Sequence, residues 1–293
     1  MRVGFVGLGV MGAPMARNIA RAGFELHVTA RRPAAADALV ADGATWHDTA
    51  RELARHADVV VVMVPDLPDV EAVLDGEDGL LAGVDAPTVV VVCSTVSPEG
   101  VRALGRRVAE ATGGLARLVD APVSGGEEGA VAGTLSVMMG GRDEDVAVAA
   151  PVLSATGTPV HLGPAGAGEV AKACNQMIVA ATVLALGEAA VVAERAGLDV
   201  RALFDLLGGG YAGSRLMEVK KARLAEHDHS PSGPARFMVK DLGFATAEAA
   251  ATGTATPQLD VTREVFTGLT DAGLGDLDTS VVQAYVESLG RAR

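Results

Sequence analysis

The sequence predicts an α/β fold with a doubly wound, mainly parallel sheet, followed by an all-α domain. Over roughly the first 163 residues, short runs rich in β-branched residues alternate with helical patterns, which is typical of βαβ units. After residue 163 the strand candidates stop, and a long apolar segment without a strong turn signal begins. We therefore expect a sheet domain at residues 1–163 and a helical domain at residues 164–293, with a long interdomain helix over about residues 168–196.

The individual elements follow from hydrophobic periodicity and from the turn residues between the periodic segments. The strand candidates are Arg2–Val6, Glu25–Thr29, Asp58–Val64, Thr88–Cys93, Leu115–Val119, Leu135–Met139 and Val160–Leu162. The helix candidates among them are Ala13–Ala22, Thr49–Arg55, Pro98–Ala111 and Glu144–Leu153. The second half contains only helix candidates: Gly168–Ala196, Arg201–Leu206, Ser214–Ala225, Met238–Ala251, Gln258–Asp271 and Thr279–Leu289.

Length and charge exclude several classes of protein. The 293 residues suggest about two domains, and 49% hydrophobic with only 3% aromatic residues indicates a core of small aliphatic side chains. Acidic residues outnumber basic ones 37 to 24, giving a formal net charge of −13. Because such a chain repels phosphate backbones and anionic lipid, we expect neither nucleic acid nor membrane as a partner.

The cysteines and the apolar segments indicate a reducing compartment. Cys93 and Cys174 lie in apolar stretches without metal-ligand spacing, so we expect no disulfide framework and no metal. The amino-terminal strand candidate leads directly into a glycine turn, unlike a signal peptide. The segment Met177–Ala193 is interrupted by Gly187 and Glu188, which makes it too short for an uncharged membrane span. We expect a soluble, cytoplasmic protein.

The first strand candidate ends in a glycine turn. The run Gly7-Leu8-Gly9-Val10-Met11-Gly12 has the pattern G-x-G-x-x-G between a strand and a helix, the context of a dinucleotide-binding turn. The first glycine allows the tight turn, the second lets a pyrophosphate approach the main chain, and the third lets the helix pack on the strand. A purely structural turn is the alternative. The context favours a Rossmann-type domain with a nicotinamide dinucleotide at the helix N-terminus.

The end of the second strand candidate indicates which dinucleotide is bound. NAD-binding folds usually place a carboxylate there for the ribose 2′-hydroxyl, but here the strand continues into Ala30, Arg31 and Arg32. Guanidinium groups suit a 2′-phosphate because they offer planar, bidentate donors. The alternative is a solvated basic loop. We expect NADP(H) to be preferred, with NAD(H) possible.

Polar or glycine residues also follow three other strands, at the edge where open α/β sheets bind ligands. The segments are Val64-Pro65-Asp66, Ser94-Thr95-Val96-Ser97 and the run from Asp120 to Gly126. In the third, Gly125 and Gly126 leave amide groups open to an anion beside the Ser124 hydroxyl. This is a candidate seat for a carboxylate; the alternative is an ordinary glycine-rich loop.

The long helix candidate carries Lys172 and Asn175, which are three residues apart and share a face. Lys172 lies among apolar neighbours, so we expect partial desolvation, which lowers the pKa of a lysine. Such a lysine exchanges protons near neutral pH. The alternative is a lysine whose stem packs on apolar surface while its ammonium stays in water.

Together, these motifs resemble the 3-hydroxyisobutyrate dehydrogenase family of β-hydroxyacid dehydrogenases, with a 6-phosphogluconate dehydrogenase-like architecture, and most closely its tartronate semialdehyde reductase branch. The resemblance covers essentially the whole chain. It rests on the segments 7–16, 120–126, 168–176, 209–214 and 239–242. The Ala30-Arg31-Arg32 segment departs from the acidic residue of that branch and looks more like the NADP-using relatives.

The resemblance implies a role for each matching residue. Lys172 is implied as the catalytic lysine, while Gln176 stands where much of the family has a second Asn. The implied substrate-binding residues are Ser124, Gly125, Gly126, Asn175 and Gln176. The implied cofactor-binding residues are Gly7, Leu8, Gly9, Val10, Met11, Gly12, Val64 and Pro65 toward the adenosine half, with Thr95 and Lys240 at the nicotinamide end.

The reaction expected is reversible hydride transfer between the nicotinamide and a small 3-hydroxy acid or semialdehyde, with Lys172 as general acid and base. The substrate is expected in a cleft between the two domains, and the protein as a homodimer or homotetramer through the helical domain. One alternative is an imine reductase of the same architecture, against which Lys172 argues. The other is a nucleotide-sensing protein without turnover, in which Lys172 and Asn175 would have no task.

Overall fold

The computed structural model describes residues 1–290 of the chain. The chain divides into two compact units, Met1–Lys172 and Ala173–Arg293. The first unit contains the sheet and the second is helical among its described residues, which confirms the predicted fold class.

The first unit is built on one nine-stranded sheet. Its strands are β1 (Arg2–Val6), β2 (Glu25–Thr29), β3 (Thr45–Trp46), β4 (Val59–Val62), β5 (Thr88–Val92), β6 (Ala116–Asp120), β7 (Val123–Ser124), β8 (Leu135–Gly140) and β9 (Gly157–Gly163). The strand order is β3-β2-β1-β4-β5-β6-β8-β7, with β9 paired to β8. The first six strands of this order, β3-β2-β1-β4-β5-β6, run parallel to one another. Strand β8 is antiparallel to β6 and β7. The order 3-2-1-4-5-6 is that of a doubly wound dinucleotide-binding fold.

The sheet is buried on both faces. In β4, Val59 and Val61 belong to one hydrophobic core, and Val60 and Val62 belong to the other, because successive side chains of a strand point to opposite faces. Helices cover both faces: α1 (Gly12–Arg21), α2 (Asp37–Ala41), α3 (Ala50–Ala54), α4 (Leu67–Leu74), α5 (Pro98–Ala111), α6 (Gly126–Ala132) and α7 (Asp143–Leu153). Continuous valine runs are therefore what such central strands require.

The second unit consists of helices around two further hydrophobic clusters. The 29-residue helix α8 (Ala167–Arg195) begins in the first unit and continues into the second. It is followed by α9 (Val200–Leu207), α10 (Arg215–Glu226), α11 (Arg236–Thr252), α12 (Pro257–Leu269) and α13 (Val282–Leu289). Helix α8 runs without a break through Gly187 and Glu188 and is apolar enough to cross a membrane, yet half of its most apolar window is buried inside the protein.

The differences from the predicted elements are local. The two-residue strands β3 and β7 and the short helices α2, α4 and α6 were not expected. Strand β9, at Gly157–Gly163, is longer than the predicted strand Val160–Leu162. The expected helix Gln258–Asp271 ends at Leu269, where a π-helical turn containing Gly273 at φ 80° follows. The expected helix Thr279–Leu289 begins with a 3₁₀ turn at Thr279–Val281.

Candidate active site

The turn between β1 and α1 leaves no room for side chains at its first and last glycine. Gly7 has φ +98°, and a Cβ there would collide with the main-chain oxygen of Met63. A Cβ at Gly12 would collide with the oxygen of Gly7. Gly9 is exposed and a Cβ there would meet open space, so a ligand can approach the main chain at this point.

The first turn of α1 carries no acidic side chain, and its free amide groups favour an anion. Within the turn, Leu8 is buried in the core, Met11 is half-buried and Val10 is exposed. This geometry fits the pyrophosphate of a dinucleotide.

Arg31 and Arg32 follow β2 next to this turn. The amide of Gly7 donates to the oxygen of Thr29, the last residue of β2, at 3.5 Å. The side chain of Arg31 is 87% exposed, and its Nη1 lies 3.9 Å from Asp69 Oδ1. Arg31 and Arg32 are both exposed, so a phosphate can reach them.

The ends of β4 and β5 are joined by hydrogen bonds. The amide of Val64 donates to the Ser94 hydroxyl at 3.1 Å. The amide of Val96 donates to the Glu169 carboxylate at 3.2 Å, so the segment containing half-buried Thr95 is tied to the start of α8. Pro65 is exposed.

The Lys172 side chain reaches the loop after β6. Lys172 is buried, with 8% of the residue exposed, and its Nζ donates to the main-chain oxygen of Val123 at 2.8 Å. The next residue is Ser124, in β7, followed by exposed Gly125 and Gly126 at φ +137° and +63°. The structure thus brings Lys172 beside the candidate carboxylate seat.

Two buried carboxylates at this point lie in segments singled out from the sequence, but the sequence predicts no role for either of them. Asp120 and Glu169 are 0% and 1% exposed. The Asp120 carboxylate accepts hydrogen bonds from the amides of Gly166 and Glu169 at 2.7 and 3.0 Å. Burial raises the pKa of Asp120, while these amide donors oppose the rise. The sequence does contain a sign that Glu169 is unusual, since it is an acidic residue among the apolar residues that begin a long helix.

The predicted residues of the second unit form a chain of hydrogen bonds. The Asn175 amide donates to Gln176 Oε1 at 2.8 Å, and Gln176 Nε2 donates to Asp241 Oδ2 at 2.6 Å. Half-buried Lys240 has its Nζ 3.9 Å from Asp241 Oδ1 and 5.5 Å from the centre of the Phe244 ring. Asp241 therefore connects three residues that the sequence assigned to the site.

Two family models match this chain. The model described as the NAD binding domain of 6-phosphogluconate dehydrogenase matches residues 2–175. The model described as NAD-binding of NADP-dependent 3-hydroxyisobutyrate dehydrogenase matches residues 166–286. The two matches together extend over both units.

Curated relatives match over almost their whole length. The chain is 39% identical to a 2-hydroxy-3-oxopropionate reductase of Escherichia coli, over 98% of this chain and 97% of that protein. It is 38% identical to an NAD-dependent L-serine dehydrogenase of Pseudomonas aeruginosa, over 96% of each. Both named proteins are oxidoreductases.

Solved structures agree with these matches. A 3-hydroxyisobutyrate dehydrogenase of Salmonella typhimurium has a TM-score of 0.88 at 30% identity, over 97% of this chain and 99% of that chain. Psf3 in complex with NADP⁺ and 2-OPP has a TM-score of 0.87 at 26% identity, over the same fractions. An imine reductase of Streptomyces aurantiacus has a TM-score of 0.66 at 24% identity, covering 96% of this chain and 98% of that chain; this similarity concerns the fold alone.

Proposed function

Because this chain belongs to the 3-hydroxyisobutyrate dehydrogenase family, it is an NAD(P)-dependent β-hydroxyacid dehydrogenase, and we propose that it interconverts a small 3-hydroxy acid and its semialdehyde. The substrate class proposed is that of 3-hydroxyisobutyrate or tartronate semialdehyde. The observation that carries the proposal is the buried Lys172, whose Nζ is held at Val123 beside Ser124.

Lys172 acts as the general acid and base. When bound, the nicotinamide supplies or accepts the hydride at its C4. As the hydroxyl-bearing carbon loses hydride, the Lys172 amine takes the hydroxyl proton; in the reverse direction the ammonium returns it to the forming alkoxide. The hydrogen bond to the Val123 oxygen fixes the position of Nζ, so little motion is needed before the proton moves.

The loop after β6 orients the substrate. We assign the carboxylate to the Ser124 hydroxyl and the amides of Gly125 and Gly126, whose positive φ angles turn N–H groups toward an anion. Asn175, three residues beyond Lys172 on α8, is assigned to the substrate hydroxyl and carboxylate. Gln176 and Asp241 hold the Asn175 amide in one orientation.

The cofactor proposed is NADP(H), with NAD(H) as the weaker one. The support is the pair Arg31 and Arg32 after β2, in a segment that has no carboxylate. A 2′-phosphate there would receive charge-assisted hydrogen bonds. One relative is named NAD-dependent and one solved neighbour carries NADP⁺, so cofactor choice is a property of individual members.

We also propose a homodimer or homotetramer through the helical unit, in the cytoplasm. Large apolar side chains are exposed in that unit, among them Ile178, Val192 and Leu206 at 68%, 68% and 76%. We propose that the interface between copies covers these side chains, since apolar surface buried between subunits leaves water. The proposed compartment rests on Cys93 and Cys174, two free thiols of the kind that a reducing compartment maintains.

A substrate panel tests the proposed function. NADPH consumption is measured with tartronate semialdehyde, methylmalonate semialdehyde and succinic semialdehyde, and with a cyclic imine as the matched control. We expect turnover with a 3-oxo acid and none with the imine. Turnover of the imine alone would assign the chain to imine reduction, and tight NADPH binding without turnover of any compound would indicate a nucleotide sensor.

A further inference from the structure

Asp120 has no chemical task in the proposed reaction, yet its carboxylate is fully buried at the start of α8. We propose that Asp120 is a positioning residue for Lys172: by holding the first turn of α8, it sets where the lysine amine stands relative to Ser124. This inference rests on the proposed function, because it takes Lys172 as the proton-transferring group.

The hydrogen bonds of Asp120 act as a helix cap for the start of α8. The first amide groups of a helix lack partners within the helix, and a side chain next to the helix in sequence usually accepts from them. Here the acceptor comes from the end of β6, 46 and 49 residues earlier in the chain. One carboxylate oxygen takes the amide of Gly166 and the other takes the amide of Glu169. Two bonds to one rigid group fix both the distance and the rotation of the helix start.

The same two segments meet again three residues later. Val123 follows Asp120 by three residues, Lys172 follows Glu169 by three residues, and Lys172 Nζ donates to the Val123 oxygen at 2.8 Å. The contact at Asp120 and the contact at Lys172 therefore join one loop to one turn of helix. A slip of α8 by one residue would move Nζ by about 1.5 Å along the helix axis. Displacements of about 1 Å cost roughly 100-fold in rate.

Glycines on both sides leave the Asp120 carboxylate in tight contact with the main chain. A Cβ at Gly140 would lie 2.6 Å from Oδ1, and a Cβ at Gly168 would lie 2.8 Å from Oδ2 and collide with the oxygen of Met138. Helix α8 thus approaches β8 and Asp120 so closely that a methyl group added at Gly168 would displace the helix. This gives a second way to disturb the same contact without changing the carboxylate.

The first test is Asp120→Asn, which puts an NH₂ group opposite one of the two amide donors. We expect kcat to fall about 10- to 100-fold, with the NADPH Kd unchanged because the glycine turn is untouched. Circular dichroism confirms that the variant is folded. The matched control is Asp199→Asn, because Asp199 Oδ1 caps α9 by accepting from the Ala202 amide at 2.9 Å; its kcat should equal that of the wild type.

A double-mutant cycle separates positioning from general structural loss. In a Lys172→Ala background, Asp120→Asn should cause no further decrease in kcat, because there is no amine left to position. Gly168→Ala should cause the same loss of kcat and leave the NADPH Kd unchanged. If Asp120→Asn does not fold, Gly168→Ala takes its place as the test of positioning. Wild-type kcat in a folded Asp120→Asn or Gly168→Ala variant, or an equal loss with and without Lys172, would overturn the inference. If Lys172→Ala itself turns over normally, the proposed function fails instead.

Discussion

His27 Nδ1 lies 2.9 Å from His47 Nε2, and both imidazoles stack on the ring of His56. Burial lowers the pKa of His27 and of His47, and the neighbouring imidazoles lower that of His47 further. The carboxylate of Glu25 lies 3.2 Å from His27 Nε2. Its negative charge raises the pKa of His27, but by less than burial lowers it. Both shifts favour the neutral forms of His27 and His47.

This cluster makes stability depend on pH. In the folded protein the pKa values of His27 and His47 lie below about 6.5, the value expected in the unfolded chain. The unfolded chain therefore binds protons first as the pH falls. The stabilisation from His27 and His47 is thus fully present above about pH 6.5 and is lost on acidification, by up to about 1.4 kcal/mol per pH unit for each of the two. Urea unfolding followed by the fluorescence of Trp46, the only tryptophan and the neighbour of His47, measures the loss.

One variant tests that assignment. His47→Gln should reduce the pH dependence of the Trp46 unfolding midpoint between pH 7 and pH 5, because it removes one imidazole whose pKa burial lowers. An identical pH dependence in wild type and His47→Gln would show that the cluster does not titrate with unfolding.

Lys220 and Lys221 are adjacent lysines in different surroundings. Lys220 Nζ lies 2.8 and 2.7 Å from the two oxygens of Asp278, which is fully buried. Burial by itself would raise the pKa of Asp278, but hydrogen bonds from Lys220 and Ser280 outweigh it and hold this pKa below its usual range. Lys221 pairs with exposed Asp205.

We expect Lys220→Ala to lower the free energy of unfolding by about 3–5 kcal/mol, because it leaves a buried carboxylate without its cation. The matched change Lys221→Ala should cost at most about 1 kcal/mol, since its pair is solvated. Chemical denaturation at pH 7 compares the two. Equal costs would mean that burial of Asp278 does not control the strength of its ion pair.

Replacing Arg31 should separate the two cofactors. Arg31→Ala should remove the proposed charge-assisted contact to a 2′-phosphate, worth about 1.5–3 kcal/mol, so we expect the NADPH Kd to rise about 10- to 100-fold and the NADH Kd hardly to change. Arg32→Ala is assayed beside it, and Arg21→Ala, at the far end of α1, is the control. The NADPH contact should also weaken with added salt. Wild-type preference for NADH, or an unchanged cofactor ratio in both Arg31→Ala and Arg32→Ala, would refute the assignment.

The substrate should need its acid group. The Ser124-Gly125-Gly126 segment and Asn175 are assigned to a carboxylate, and each donor left unpaired by a neutral analogue costs about 1–3 kcal/mol. The amide and methyl ester of the preferred semialdehyde should therefore have much lower kcat/KM than the acid. Equal kcat/KM for the acid and its amide would place the carboxylate elsewhere.

The sequence predicts those parts of the fold that depend on local periodicity. The predicted bounds of Arg2–Val6, Glu25–Thr29 and Pro98–Ala111 agree with β1, β2 and α5, because long apolar runs and a Ser-Pro helix start are strong signals. Strand β3 has two residues, too few to show a period. Helix α4 was missed although Asp66 caps it and a proline lies in its first turn; Asp66 was interpreted as part of a ligand-binding segment.

In the candidate site, too, local patterns reveal some residues and leave others hidden. Gly7, Gly9, Gly12 and Lys172 could be singled out because a turn pattern or a lysine among apolar residues is visible locally. The bonds of Asp120 to Gly166 and Glu169 join residues 46 and 49 positions apart, and no local pattern encodes such a pairing. The link from Gln176 to Asp241 spans 65 positions and is hidden for the same reason.

The central claim is that Lys172 moves the proton, and the kcat of Lys172→Ala tests it most directly. We expect the variant to fold and to bind NADPH as the wild type does, while kcat falls by about 10²–10⁴, the usual contribution of one general acid–base group. Lys172→Arg should not restore turnover, because a guanidinium stays protonated. Near-wild-type kcat in folded, NADPH-binding Lys172→Ala would contradict the mechanism.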